Sequence, residues 1–313
     1  MNERRHDVLE LVADGPITRS SVAERLEVDP ESVERHVTAL RDAGFEVVDG
    51  PDGYELASIS GYSESTISFG LDTPFSIDYQ ETVQSTNDRA RDLARTGASN
   101  VAVVAAEQTA GRGRLNREWR SPDGGVWASV LIRPSASAAK APLYTIVGAV
   151  AATEAAREFD VDAQIKWPND VVLADDTDRG YRKIGGVLTA MESEQSRISW
   201  LVCGIGVNVA VDPSDLPAEA TSLHEHADDV DRRRYLHRLL ERFDLYRDDL
   251  DGALDRCRRH SLTVGQRVRA TVGGRSIEGD AIELTTNGSL VIATADGDER
   301  VVTAGDCEHL RSV

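Results

Sequence analysis

The chain has 313 residues and a formal net charge of −19, with 40% apolar and 28% charged residues, a balance that supports two or three packed domains and excludes a disordered chain. No run approaches the ~18 apolar residues of a membrane span, and no signal-peptide core follows the N-terminus. The expected location is the cytoplasm, with no membrane partner. Cys203, Cys257 and Cys307 stand far apart, which excludes a CxxC zinc or redox pair. Only Lys140, Lys166 and Lys183 are lysine among 35 basic residues. Strong acidity with scarce lysine points to a halophilic protein, because salt screens the self-repulsion of an acidic surface. A composition that replaces lysine where it can has kept Lys166 and Lys183 inside motif-like segments. Arginine and lysine are not equivalent donors, so these two positions are candidates for a compact ammonium.

In chain order, residues 4–13 place Val8, Leu9 and Val12 on one helical face, and Gly15-Pro16 ends that helix. Thr18 or Ser20 caps a short helix over 21–26. Asp29 and Pro30 open a third, running to about residue 43, with Val33, Val37 and Leu40 inward and Gly44 as its stop. Strand candidates at 45–48 and 54–56 flank the turn Asp49-Gly50-Pro51-Asp52-Gly53. Three helices and a hairpin predict a winged helix-turn-helix over 1–60. In that motif the third helix enters the major groove, which turns Ser32, Arg35 and His36 toward DNA. The segment carries six arginines against fourteen acidic side chains. Phosphate neutralisation normally drives DNA binding, so such a module is repelled at low salt and relies on groove contacts at high ionic strength. A protein-interaction module is the alternative that this charge favours.

Residues 61–76, rich in Ser, Thr and Gly, read as a linker. A strand at 77–80 precedes Ser85-Thr86-Asn87, which opens a helix over 88–95 and presents backbone N–H groups and hydroxyls at a positive dipole end. A buried strand at 101–106 delivers Glu107-Gln108-Thr109-Ala110-Gly111-Arg112-Gly113-Arg114-Leu115-Asn116-Arg117-Glu118-Trp119. Glycines let this loop wrap a ligand, its arginines can clamp phosphate or carboxylate, and the tryptophan can cover a flat ring. It is not a P-loop, since the closing Gly-Lys-Ser/Thr is missing. Then come a strand over 126–132, an alanine-rich helix over 143–158 and Lys166-Trp167-Pro168-Asn169-Asp170. A strand at 171–173 and a polar loop at 175–178 lead to Lys183-Ile184-Gly185-Gly186-Val187, in a strand ending near 191; residues 199–202 lead to Gly204-Ile205-Gly206-Val207-Asn208. Many strands with few helices predict an α+β domain with a mixed, largely antiparallel sheet. Residues 231–260 read as one charged helix with Leu236, Leu239, Leu240, Phe243 and Leu250 inward. From Val264 the pattern changes to period two, with strands at 267–272, 276–284, 289–293 and 300–303 and hairpin turns at Asn287-Gly288 and Asp296-Gly297, a small closed β unit.

The arginine loop closing on Trp119, Lys-Trp-Pro-Asn-Asp, Lys-Ile-Gly-Gly-Val and Gly-Ile-Gly-Val-Asn, in this order, resemble the biotin–protein ligases. With the N-terminal segment, the whole chain is similar to the bifunctional form, the biotin operon repressor with ligase activity. Ala220-Thr221-Ser222-Leu223 matches the family's adenylate-side loop, whereas Leu115-Asn116 stands where the family often has Arg-Gly. The resemblance implies a biotin/lipoate ligase-type catalytic domain over 77–260 and an SH3-like barrel over 261–313. It implies a reaction in which biotin carboxylate attacks the α-phosphate of ATP to give biotinyl-5′-AMP. A lysine of the biotin carboxyl carrier protein of acetyl- or propionyl-CoA carboxylase then displaces AMP. Ser85, Thr86, Asn87, Gln108, Arg112, Gly113, Arg114, Lys183, Gly186 and Gly204 are the implied biotin-binding residues. Arg114, Trp119, Lys166, Asn169 and Asn208 are those implied for the nucleotide, and Arg112, Arg114, Arg117, Lys183 and Asp170 those implied for catalysis. Mg²⁺ is expected to be held mainly by ATP, with no dedicated protein site; Asp170 is left open between that ion and the incoming amine. The adenylate is expected to favour a homodimer that binds operator DNA. The alternatives are a lipoate–protein ligase and a ligand-sensing regulator without ligase activity.

Overall fold

A computed structural model describes residues 2–177 and 179–310, so Asp178 of the predicted polar loop lies outside the described residues. Contacts divide the chain into two compact units, Met1–Leu71 and Asp72–Val313. The first holds α1 (Glu3–Ala13), α2 (Arg19–Leu26), α3 (Pro30–Asp42), the antiparallel pair β1 (Phe45–Gly50) and β2 (Gly53–Ile59), and α4 (Glu64–Ser68). Asn2, Thr18 and Asp29 accept from the backbone N–H of Arg5, Ser21 and Ser32, which satisfies donors that each helix start leaves orphaned. Val8, Leu9, Val12, Val33, Val37 and Leu40 are fully buried, together with Phe45 of the hairpin. The Tyr54 hydroxyl donates to Glu34 at 2.6 Å and accepts from Arg19 at 2.8 Å, tying the hairpin to α2 and α3. The segment expected as a linker is not all extended. Ser63 and Thr66 form a capping box, Ile67 is buried, and Phe69 meets Phe45 edge-on at 5.8 Å. The apolar side chains scattered among its serines give it a surface to bury.

The second unit is built on a seven-stranded sheet. Its strands are β3 (Ser76–Val83), β4 (Val101–Gln108), β5 (Val126–Ile132), β6 (Ala163–Lys166), β7 (Asp170–Ala174), β8 (Tyr181–Glu194) and β9 (Arg197–Val207), in the order β3-β4-β5-β9-β8-β7-β6. Only the β3–β4 pair is parallel. α5 (Thr86–Arg95) makes that crossover and packs Ala90 and Ala94 against Val103, Leu131, Trp200 and Val202. The alanine-rich α6 (Ala141–Arg157) lies on the other face, where the Cys203 thiol donates to the Tyr144 carbonyl at 3.5 Å. Successive strand residues face opposite ways, so β9 turns Trp200, Val202, Gly204 and Gly206 toward α5, and Cys203 toward α6.

The stretch predicted as one helix over 231–260 is two, α7 (Arg232–Arg247) and α8 (Leu250–Arg259), both packed on α6. Asp249 breaks it by capping α8, accepting from the Gly252 N–H at 3.0 Å. On α6, burial alone would raise the Glu154 carboxyl. Hydrogen bonds from His260, Tyr246 and Arg256 instead hold it down at about 2. The remaining strands are β10 (Arg267–Val272), β11 (Arg275–Leu284), β12 (Leu290–Ala293), β13 (Glu299–Val302) and β14 (Asp306–His309). They form an antiparallel sheet in the order β13-β12-β11-β10-β14, and β14 lies beyond the four strands predicted. Among the described residues no helix is long and apolar enough to cross a membrane.

Candidate functional site

The face of the seven-stranded sheet that meets α5 carries two glycines where large side chains would otherwise stand. A Cβ on Gly204 would collide with the Asn87 amide, and one on Gly206 would come within 2.7 Å of Trp119 Nε1. Glycine at both positions clears a floor, and Asn87 and Trp119 cover its two ends. Around Asn87 the groups are neutral and mutually satisfied. Gln108 Oε1 accepts from the Thr86 N–H at 2.9 Å and from the Thr86 hydroxyl at 3.0 Å, while its amide donates to Ser121 at 2.8 Å. Ser129 lies 2.8 Å from the Thr86 hydroxyl and donates to Asn87 Oδ1 at 2.9 Å. Asn87 Nδ2 donates to the Leu188 carbonyl at 3.3 Å. Ser85 caps α5, accepting from the Asp88 N–H at 3.3 Å.

The other end is charged. Lys183 donates to Asp170 Oδ1 at 2.6 Å, and Lys166 stands 3.9 Å from Asp170 Oδ2. Two of the chain's three lysines thus share one carboxylate. The Lys183 ammonium lies 4.9 Å from the Trp119 ring centroid, and the Lys166 ammonium 5.6 Å from that of Tyr181. Gly186 leaves room beside them, since a Cβ there would sit 3.2 Å from Lys183 Nζ. Lys183 is held by its backbone, donating to the Glu219 carbonyl at 3.0 Å and accepting from Thr221 at 2.9 Å. Asn208 Nδ2 donates to the Thr221 carbonyl at 3.1 Å, which joins segment 220–223 to the end of β9. Trp119 Nε1 is buried and has no acceptor among the described residues.

The arginine loop folds back on itself through Gly113 N–H to the Arg117 carbonyl at 2.8 Å and Trp119 N–H to the Gly111 carbonyl at 3.0 Å. Leu115 and Asn116 at its tip both have positive φ, 54° and 60°. Asparagine tolerates that region well and leucine poorly. Arg114 donates to Asn169 Oδ1 at 2.9 Å and to the Gly305 carbonyl at 2.8 Å, and Arg117 pairs with Asp306. The loop is therefore bound to the turn between β13 and β14.

Of the residues that the sequence singled out, the fold gathers Ser85, Thr86, Asn87, Gln108 and Gly204 at the neutral end. Arg114, Trp119, Lys166, Asn169, Asp170, Lys183, Gly186 and Asn208 gather at the charged end. Arg117 faces the C-terminal sheet, and the exposed Arg112 has no side-chain hydrogen bond or ion pair among the described residues. In the first unit Arg35 donates to Ser32 at 2.6 Å, and His36 is half-buried on the same stretch of α3. Sequence reasoning missed Ser129, Ser121, Gly206, Gly305 and Asp306. A signal existed for Ser129, a single hydroxyl inside the apolar run Val126–Ile132, where a buried polar group needs a partner. None existed for Gly305 and Asp306, nearly two hundred residues from the loop they hold.

Residues 79–208 match the Biotin/lipoate A/B protein ligase family, and residues 263–310 match the Biotin protein ligase C terminal domain. The bifunctional ligase/repressor BirA of Bacillus subtilis is 32% identical over 96% of this chain and 97% of its own length. The biotin–acetyl-CoA-carboxylase ligase of Mycobacterium tuberculosis is 31% identical over 72% of this chain and 86% of its own. Among solved structures, the biotin protein ligase of Aquifex aeolicus in complex with biotin and ATP superposes with a TM-score of 0.62 at 27% identity, covering 75% of this chain and 99% of that one. Sequence kinship along nearly the whole length, with the same sheet beneath it, places this chain in the biotin–protein ligase family, among its bifunctional ligase/repressors.

Proposed function

We infer that the protein joins biotin to a lysine of a biotin carboxyl carrier protein in two steps at the site between Asn87 and Asp170. The observation that carries this reading is the continuous floor from a neutral hydrogen-bonding end, past Trp119, to two lysines on one carboxylate. The neutral end, with Ser85, Thr86, Asn87, Gln108 and Gly204, suits an uncharged ring system with its own donors and acceptors. The charged end suits the meeting of a carboxylate and a triphosphate. In the first step a biotin carboxylate oxygen forms a bond to the α-phosphorus of ATP, and the bond to pyrophosphate breaks. Two anions must approach, so fixed cations contribute most, with little covalent work for the protein. Lys183, Lys166 and Arg114 supply those cations, and Asp170 holds the two ammoniums in place. Trp119 and Asn208 face the nucleotide, and the unpartnered Trp119 Nε1–H is a donor that a bound ligand can satisfy. In the second step the carrier lysine's amine attacks the anhydride carbonyl and AMP leaves. Asp170, already engaged by two lysines, is a poor ligand for Mg²⁺, so that ion would be held mainly by the triphosphate oxygens of ATP. Arg112 and Gly113 remain candidates to close over biotin when the loop moves.

The first unit reads as a winged helix-turn-helix that binds operator DNA through Ser32, Arg35 and His36 of α3, and the C-terminal sheet as an SH3-like barrel. The adenylate would favour a homodimer by ordering the 111–119 loop, and linkage makes dimerisation tighten adenylate binding by the same factor. Incubation with ATP, radiolabelled biotin and a carrier domain should label the carrier, with labelled lipoate a poor substitute; an unlabelled carrier would refute the ligase reading. A chain beginning at Asp72 should keep that transfer and lose operator binding. Because α1–β2 is acidic, operator binding by the full chain should strengthen, or fall unusually little, from low to multimolar salt. A steep ordinary counterion-release slope would contradict the proposed halophilic mode.

A further inference from the structure

The Lys166–Asp170 turn is supported by a buried threonine just before β10 and a half-buried histidine at the end of β14, neither of which the proposed chemistry uses. The backbone N–H of Trp167 donates to Thr263 Oγ1 at 3.0 Å, and Thr263 is fully buried. The same oxygen lies 3.1 Å from His309 Nε2, at the end of β14. A hydroxyl that accepts from Trp167 still has one proton to donate, and the neighbour able to take it is the unprotonated nitrogen of a neutral imidazole. Burial first, and the nearby Lys166 charge second, push His309 down to about 4, so the ring is neutral near pH 7. That ring also meets Tyr181 edge-on, centroids 5.5 Å apart, and the Lys166 ammonium lies 5.6 Å from the centroid of the same Tyr181 ring. His309 thus reaches the turn twice, through Thr263 to the Trp167 backbone and through Tyr181 to Lys166. The Trp167 indole is anchored separately, donating to the Gly288 carbonyl at 2.9 Å.

We propose that Thr263 and His309 are positioning residues for adenylate formation, holding the Lys166–Asp170 turn so that Lys166 and the Asp170–Lys183 pair stay aligned on the phosphates. Neither residue touches substrate. The proposal rests on the reading of this site as an adenylating one. A one-residue slackening of the turn would move two cations at once, while Thr86, Gln108 and Ser129 take their bonds from other elements.

The test uses the full chain with Thr263→Val, Thr263→Ser, His309→Gln and His309→Phe. Biotinyl-5′-AMP formation is followed against ATP and biotin, and biotin binding without ATP is followed by calorimetry. Thr263→Val should lower kcat for adenylation roughly tenfold, the scale of one buried hydrogen bond, with biotin affinity unchanged. Thr263→Ser should restore the rate. His309→Gln keeps an acceptor for the hydroxyl and should exceed His309→Phe, which keeps the ring but offers none. Wild-type rates in Thr263→Val, a serine variant no better than valine, or parallel loss of biotin binding and rate would overturn the positioning role. Should Thr263→Val not fold, equal rates for His309→Gln and His309→Phe would overturn it as well. A wild-type chain that forms no adenylate sinks the ligase reading itself, a different result from an active wild type with unaffected variants.

Discussion

Around Thr86 and Gln108 every side-chain bond joins neutral groups, whereas around Asp170 one carboxylate is shared by two ammoniums. The neutral end is assembled from β4, β5, β8, β9, the start of α5 and Ser121 just before β5, all on or beside one sheet. The charged end draws on β7, β8, segment 220–223 and, through Asn169 and Arg114, the turn between β13 and β14. The contrast separates two tasks. Neutral donors and acceptors held in place by one another recognise a ligand, because one that displaces them without matching their hydrogen bonds leaves buried groups unpaired. Fixed charges lower a barrier by being in place before charge moves.

Removing one charge should have the largest effect. Lys183→Ala should lower adenylation by about a hundredfold or more, on the order of 3–4 kcal/mol, as read by pyrophosphate release. Lys183→Arg should also fail to restore the wild-type rate, because a broader planar guanidinium does not reproduce the compact ammonium's contacts with Asp170 and the Trp119 ring. A wild-type rate in the arginine variant would show that only charge, not its compactness, matters.

A control comes from charge outside the site. With Glu154 held at about 2, stability from its ring of donors is complete above the ordinary carboxylate range and lost as pH falls from about 4.5 to 2. Acid unfolding followed by tryptophan fluorescence should lose about 2 kcal/mol across that window, and Glu154→Gln should flatten it. An unchanged profile would mean that the network does not set the acid limit.

Smaller effects are expected at the neutral end. Gln108→Ala strands the Thr86 and Ser121 groups and should weaken biotin binding by about 1–3 kcal/mol, measured by calorimetry, while the rate at saturating biotin barely changes. The smallest effect is at the partly exposed Arg117–Asp306 pair, where Asp306→Asn should alter stability or ATP affinity by less than about 1 kcal/mol. A tenfold change there would make that contact a gate for the loop.

Much of this was legible because the motifs are contiguous. The strand Val126–Ile132 reads directly from its apolar run, and the helix after Ser85 from its cap. Composition also singles out two of the lysines, since scarce lysine is kept at Lys166 and Lys183 inside motif-like segments. Lys166 and Lys183 meet at Asp170, while Lys140 stands at the start of α6. The break at Asp249 was readable, since Asp-Leu-Asp-Gly offers a cap, but a long run of charged and apolar residues hid it. β14, four residues of Asp-Cys-Glu-His, carries too little alternation to be seen alone. Its pairing with β10 supplies what its sequence does not. The contacts of Thr263, Gly305 and Asp306 depend on how the C-terminal sheet docks, which no local pattern encodes.

The division of labour between the two ends is tested most directly by the single-turnover rate of biotinyl-5′-AMP formation at saturating biotin and ATP, compared between Lys183→Ala and Gln108→Ala. The account predicts a rate about a hundredfold slower for Lys183→Ala and a near-wild-type rate for Gln108→Ala once its weaker biotin binding is saturated. Near-normal adenylation by folded Lys183→Ala, or equal loss in both variants, would contradict it.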